Sequence, residues 1–405
     1  MKIYLQQSVW DAAIERIEWV FSEFPVVVVG VSGGKDSTVL FHLALRVAQD
    51  LDRLPLPVLF LDQEAEWQAT VEEIRTMMYH EDVKPYWLQV PMQISNATSQ
   101  RTHWLQCWDP DAREDWVHPQ DPIALTENIY GTKTFADLFT RFFAVHFSDT
   151  PAAYLSGVRT EESPTRMMAL TEAETYKGET WGKILNRSRD HYTFYPLYDW
   201  SYSDIWKAIF TNEWSYNEIY KKLFMHGVPF KRMRVSNLHH ETAVHSLFQL
   251  QKLEPETYER VVQRLPGADM AGKLGAEQFF VRNLPFVFNS WKEYRDYLVD
   301  HLLDEAYAKK FRKKFRTLDK LTRYLHNEET FIKSEVQSVL TNDFSFVRLG
   351  NTVRSPRNVA ALQYIKGLRS YESIQKAEYR ENINRAKFIR EVGEGNDARE
   401  VLSSN

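Results

Sequence analysis

The sequence predicts an α/β protein, a doubly wound, mostly parallel sheet followed by a mainly α-helical C-terminal domain. Three observations predict it. Short β-branched apolar runs recur between segments of helical periodicity, the first of them runs straight into a glycine turn and a helix, and from about Glu218 the alternation stops in favour of helical patterns. At 405 residues the chain exceeds the usual size of one domain, and 43% hydrophobic content is ample for two cores. The expected division is 1–215 and 216–405.

The elements follow in order. A first helix, WDAAIERIEWVFSEF, stops at Pro25. Val26 to Val31 is β-branched, short and non-alternating, the pattern of a strand buried on both faces of a parallel sheet. From Thr38, Val39, Leu40, Leu43, Leu45 and Val47 suit a helix, so Ser32 to Ser37 is a strand-to-helix turn whose first helical amides point at whatever lies in front of them. That is an anion site. Gly33 and Gly34 let backbone approach a phosphate, Lys35 adds a mobile charge, and Ser32 and Ser37 add hydroxyls. Asp36 is a carboxylate beside phosphates, which makes sense mainly if a divalent cation lies between them. The turn is neither a standard P-loop, being one residue short with Asp36 where a hydroxyl should stand, nor a Gly-x-Gly-x-x-Gly.

LPVLFLD, Leu56 to Asp62, reads as the second buried strand, with Asp62 at its carboxyl end, where open α/β sheets place ligand-binding residues. A helix near Trp67 to Tyr79 and a strand at Tyr86 to Val90 follow. Residues 92–131 break the rhythm with three tryptophans, several Pro and Asp and the chain's one cysteine, Cys107. They read as an insertion, either a lid over the site or surface packing. Then come a helix near Lys133 to Phe147, the strand AAYLSGVR, the strand YTFYPLYDW, and the helix SDIWKAIF with a Ser201 or Ser203 cap. Beyond Glu218, Asp300 to Asn327 is the clearest helical stretch, and no internal repeat is present.

Composition narrows the function. One cysteine excludes an intramolecular disulfide, an all-cysteine iron-sulfur cluster and a zinc site with two thiolates. No run of about 18 apolar residues and no basic region followed by an apolar stretch occurs, so no membrane span or signal peptide is expected and a cytoplasmic location is. His239, His240 and His245 flank Glu241, but His-Glu-x-x-x-His is one residue too long to put both histidines on one helix face, so no metalloprotease site is read there. The net charge of −5 is spread unevenly and selects no partner.

A second constellation, GVRTEESPTR, carries Arg159 and Arg166 with Glu161 and Glu162 between them at the end of a strand in the same sheet. Arginines there would clamp phosphates bidentately, and a glutamate could share a cation with Asp36. Taken together, Ser32-Gly33-Gly34-Lys35-Asp36-Ser37 resembles the pyrophosphate-binding loop of the N-type ATP pyrophosphatases, also called the PP-loop. Gly157-x-Arg159-x-x-Glu162-Ser163-x-x-Arg166 is similar to the second motif of their phosphoadenosine phosphosulfate (PAPS) reductase-like branch, and YPLYDWSYSDIW resembles the segment that follows it. MRVSNLHHE, from Met233, is similar to a stretch of the immunoglobulin-binding-regulator-A type proteins, which implies a ParB-like partner.

The resemblance implies an adenine nucleotide alpha hydrolase-like fold that cleaves ATP between its α and β phosphates. Residue by residue it implies that Ser32, Gly33, Gly34, Lys35 and Ser37 hold the pyrophosphate and that Asp36 helps bind magnesium (Mg2+), with Glu162 sharing it. It further implies that Asp62 lies near the nucleoside, with Gly157 in the nucleotide-binding motif, and that Arg159 and Arg166 contact phosphate or a second anionic substrate. One departure stands out. PAPS reductases finish with a C-terminal cysteine, and this chain has none after Cys107. The expected activity is therefore adenylation of an unidentified acceptor with release of pyrophosphate, the alternative being a nucleotide-sensing or nucleic-acid-associated module acting with a partner. Lys309 to Arg323 carries eight Lys or Arg against one Asp, with Phe311 and Phe315 one turn apart. It reads either as a solvated helix face over two core phenylalanines or as a nucleic-acid surface.

Overall fold

The computed structural model describes residues 5–99, 102–162, 170, 175–230, 233, 235, 238, 246–270, 283–322, 328–346 and 349–350. The chain forms two compact units, Met1–Phe279 and Phe280–Asn405.

In the first unit, helix α1 (Val9–Glu23) is capped by Ser8, whose hydroxyl accepts from the Asp11 amide, and leads into β1 (Val26–Gly30). Then follow α2 (Lys35–Asp50), β2 (Leu56–Leu61), α3 (Gln68–Met78) and β3 (Val83–Leu88). Next come a hairpin of β4 (Met92–Ser95) and β5 (Trp104–Cys107), helix α4 (Phe135–His146), and β6 (Ala152–Leu155), β7 (Gly182–Asn186) and β8 (His191–Phe194). The six-stranded sheet has the order β3-β2-β1-β6-β8-β7. Every pairing is parallel except the edge pair β7–β8. The chain turns outward in opposite directions on either side of β1, so the carboxyl ends of β1 and β6 flank a topological switch point.

β1 alternates its contacts between two cores. Val27 and Val29 pack with α1 and α2 (Ile17, Val20, Val39, Leu43), and Val28 packs on the other face with Phe142 and Phe143 of α4. A strand buried on both sides reads as an unbroken apolar run for this reason. The hairpin, absent from the sequence reading, places Leu105, Cys107 and Trp108 in the second core. Beyond the sheet lie α5 (Tyr202–Thr211), α6 (Ile219–Met225), α7 (Ser246–Leu253) and α8 (Pro255–Arg264). Ser201 and Asp204 close a reciprocal capping box on α5.

The division between units falls at 279/280 instead of 215/216. The reason is packing: Ile219, Leu223, Leu247, Leu250, Tyr258 and Val261 are buried in the core that holds Val28, so α6 to α8 complete the first unit. The second unit contains α9 (Trp291–Leu302), α10 (Glu305–Thr322) and α11 (Glu328–Leu340). The helix expected over 300–327 is thus two helices, broken at Leu303–Asp304. Phe311, Phe315 and Leu318 are buried. Arg295 of α9 pairs with Asp319 of α10 at 2.7 Å and Glu335 of α11 at 2.5 Å, joining all three helices through one guanidinium. No helix among the described residues is long and apolar enough to cross a membrane.

Candidate functional site

Ser32 to Gly34 form the turn between β1 and α2, with Gly34 at the N-cap and Lys35 and Asp36 in the first helical turn. Gly33 has φ +64°, and a Cβ there would lie 2.6 Å from the Thr70 methyl. The Ser37 hydroxyl accepts from the Ser32 amide (3.1 Å) and donates to the Gly34 carbonyl (2.9 Å), which folds the turn over the start of α2. From α6, the Tyr220 hydroxyl accepts from the Lys35 amide at 3.2 Å. The turn after β6 comes close at Gly157, where a Cβ would sit 2.9 Å from the Asp36 carbonyl oxygen. That approach explains why glycine opens the second motif.

Asp36 is the electrostatic centre. It accepts from Lys35 Nζ at 2.6 Å and from Arg159 Nε at 2.5 Å. Arg159 is itself buried and reaches Glu161 at 3.2 Å, Glu162 at 3.9 Å and the Trp200 carbonyl at 3.3 Å. The Lys35 ammonium also stands 5.6 and 5.7 Å from the ring centroids of Tyr202 and Tyr220. With both Asp36 oxygens taken by cations, this arrangement does not suit Asp36 as a magnesium ligand. Glu162 alone does not make a site, and no group of three His, Cys, Asp or Glu able to hold a metal exists among the described residues. Arg159 orients Asp36 and does not face the cavity, so the phosphate clamp expected of it is not formed here; Arg166 lies outside the described residues, as do the histidines near Glu241.

A cavity of about 340 Å³ opens at the switch point. Its polar side is Ser32, Gly34, Lys35, Asp36, Ser37, Gly157 and Glu162; its apolar side is Leu59 and Leu61 at the end of β2, Phe135 and Phe139 of α4, and Tyr154 of β6. A polar rim joined to an aromatic and aliphatic wall suits a ligand with an anionic end and a flat apolar end.

The resemblance implies that Asp62 lies near the nucleoside. Instead it is fully buried, accepting from Trp87 Nε1 at 2.9 Å and Gln89 Nε2 at 2.8 Å, with His118 Nε2 at 3.4 Å. Burial would raise its pKa, but the His118 charge and these hydrogen bonds prevail and lower it; burial depresses His118, and Asp62 overcomes that and raises it. Gln63 and Glu66 line the cavity in its place. Behind them, Glu64 takes a bidentate pair from Arg264 of α8, at 2.6 and 3.2 Å. The Cys107 thiol donates to the Gln63 carbonyl at 3.2 Å, and burial, then the Glu64 charge, pushes its pKa well up. Among the described residues of 92–131 none lines the cavity; Cys107 and Trp108 hydrogen-bond the Asp62–Glu64 loop, and Leu105, Cys107, Trp108 and Trp116 are buried in the core. Tyr154, Tyr202, Tyr220 and Gln63 were not read from sequence. Tyr154 carried a signal, a polar-tipped ring inside a buried strand; the others meet the loop only through tertiary packing.

The first unit therefore has a glycine turn at the switch point of a parallel sheet, with a two-sided cavity in front of it. Residues 26–228, just over half of the chain, match the phosphoadenosine phosphosulfate reductase domain family, and the chain belongs to that family. Residues 227–383 match a further family described as a domain of unknown function, DUF3440. Over 282 residues the chain is 29% identical to YbdN of Escherichia coli (strain K12), described as an uncharacterized protein, covering 67% of this chain and 68% of that one. Similar solved structures include Candida glabrata FMN adenylyltransferase with FMN and the ATP analogue AMPCPP (TM-score 0.33, 16% identity, 54% of this chain). This chain spans 64% of that protein's length. The phosphate complex of PAPS reductase from Candida auris is also similar (TM-score 0.26, 15% identity, 55% of this chain and 94% of that one). Superpositions this loose assign no residue a role.

Proposed function

We propose that this chain binds ATP in the cavity of the first unit and transfers its adenylyl group to an acceptor, releasing pyrophosphate. The observation that carries the reading is the two-sided cavity, in which a turn of amides, hydroxyls and Lys35 adjoins an apolar, partly aromatic wall. In this arrangement the base lies against Phe135, Phe139 and Tyr154, and the β and γ phosphates meet the turn. An oxygen of the acceptor attacks the α-phosphorus; the bond to the bridging oxygen breaks, and its electron pair leaves with pyrophosphate. Lys35 exchanges Asp36 for the leaving group, and the amides at the start of α2 stabilise the charge that develops on it. Catalysis is positional and electrostatic, with no protein nucleophile.

The thiol chemistry of a reductase finds no support, because Cys107 is fully buried and held as a neutral thiol. Incubating the full chain with ATP and magnesium tests the reading. AMP and pyrophosphate are expected; ADP and phosphate would overturn it, and tight binding without any product would identify a nucleotide sensor instead.

A further inference from the structure

Beside the turn lies a second cavity, of about 410 Å³, walled by Tyr202, Trp206, Phe210, Tyr216, Phe224 and Phe230. We propose that this groove is the acceptor subsite, and that it takes a planar heteroaromatic ring carrying an anionic oxygen. The inference rests on the adenylyl-transfer reading above and names its substrate class.

Four observations carry it. First, the wall is aromatic where an ordinary core would be aliphatic. Phe210, Phe224 and Phe230 remain 62%, 55% and 50% exposed, which a folded unit does not sustain at one place without a use for it. Trp206 with Phe210 and Phe224 with Phe230 form two stacked pairs, at 5.6 and 5.2 Å and 21° each, so the groove offers flat π faces. Second, the Tyr202 hydroxyl and the Trp206 indole N–H are buried beside each other without a well-formed hydrogen bond. A buried donor is normally satisfied, and a ring edge bearing a nitrogen or carbonyl acceptor would satisfy these. Third, the groove adjoins the ATP cavity: Tyr220 and Met233 wall both, and the Lys35 ammonium stands over the rings of Tyr202 and Tyr220. A ring seated here lies one side chain from the phosphates. Fourth, among the described residues that line the groove Lys221 is the charged one and none is a carboxylate, so an anionic substituent is matched in sign.

The reaction balances without another reagent. A carboxylate or phosphate oxygen of the acceptor, already deprotonated, forms the new bond to the α-phosphorus; the α–β bridging bond breaks and pyrophosphate departs with the electron pair.

The test uses the full chain and three fluorescent or ultraviolet-absorbing probes, FMN, 6-carboxypterin and thymidine 5′-monophosphate, with hexanoate as a non-aromatic anion. Saturable quenching of tryptophan fluorescence is expected with at least one aromatic probe and not with hexanoate. Phe224→Ser with Phe230→Ser, both at exposed positions, should weaken that binding at least tenfold while a non-hydrolysable ATP analogue binds within twofold of wild type by calorimetry. Trp206→Phe keeps the ring, removes the donor and should weaken the probe several-fold. If the ATP analogue binds but none of the three probes does, the groove assignment is overturned and the ATP reading stands; if the analogue itself fails to bind, the ATP reading falls. Concentration-dependent dimerisation abolished by the phenylalanine pair, with no probe bound, would overturn the subsite in favour of a self-association surface.

Discussion

At the scale of single residues, the glycines of the site divide into two kinds, and substitution should separate them. Gly34 has φ −88° and ψ 152°, open to any residue, and its Cβ would make ordinary contacts, 3.5 Å from Tyr220 Oη and 3.6 Å from a Val235 methyl. Gly34→Val should therefore fold, losing about 1 kcal/mol for a poor N-cap, while its methyl groups occupy the mouth of the turn and abolish ATP binding. Wild-type affinity by calorimetry would remove the turn from the phosphate site. Gly157→Ala belongs to the other kind: with the Asp36 carbonyl oxygen 2.9 Å away, one methyl forces the β6 turn off α2. Chemical denaturation should show a loss of about 1–3 kcal/mol there. Cys107→Ser keeps a donor for the Gln63 carbonyl, so ATP-dependent turnover should survive it; loss of turnover at unaltered stability would bring thiol chemistry back.

At the scale of elements, α10 shows how one basic segment serves two faces. Phe311, Phe315 and Leu318 form its buried stripe, and three of its cations tie it to its own unit: Lys310 donates to the Phe344 carbonyl at 2.6 Å, Arg312 pairs with Asp300 and Glu305, and Lys314 lies over the Phe346 ring. Lys309, Lys313 and Arg316 point to solvent. Phe311→Ala should destabilise the unit by about 3–5 kcal/mol, whereas Lys313→Glu with Arg316→Glu should leave its melting nearly unchanged. Duplex DNA binding, followed against salt, decides any second role, since each phosphate contact adds about 0.9 to the logarithmic slope; a charge-reversed chain that keeps the wild-type slope removes this face as a contact. The elements legible in sequence were those whose signal is local. β1, β2 and β6 are short apolar runs bounded by Pro or Gly, and the anion turn needs glycines and hydroxyls next to one another. The β4–β5 hairpin was not legible, because strands of four residues carry too few alternations. Nor does periodicity in α6 to α8 say which core an apolar face will enter. Tyr220 meets Lys35 across 185 residues, a contact no spacing announces.

At the scale of the whole molecule, the described residues of the second unit form no sheet, and the charge knot where α9, α10 and α11 meet should give its stability a distinctive pH dependence. Burial pushes the Glu335 carboxyl up from 4.5 to about 7; Arg295 opposes the shift, and the charges of Asp319 and Asp296 reinforce it. The sign follows from linkage. A carboxyl with a raised folded pKa holds its proton more tightly when folded, so the favourable contribution is whole below about 4.5, declines as pH rises, and is gone above about 7. At about 1.4 kcal/mol per pKa unit the loss across that window is at most about 3.5 kcal/mol. Thermal unfolding of the full chain at pH 5, 6, 7 and 8 should show it directly. In the first unit, burial likewise raises Glu64 and Glu73, so wild type alone does not assign the slope. Glu335→Gln does. Glutamine keeps an acceptor for Arg295 without a titrating proton, so its subtraction from wild type isolates the Glu335 contribution. The wild-type chain should lose more stability than the variant between pH 5 and 7 and the two curves should run parallel above pH 8; identical slopes throughout would show that Glu335 stays ionised beside Arg295 and that the knot is an ordinary ion pair.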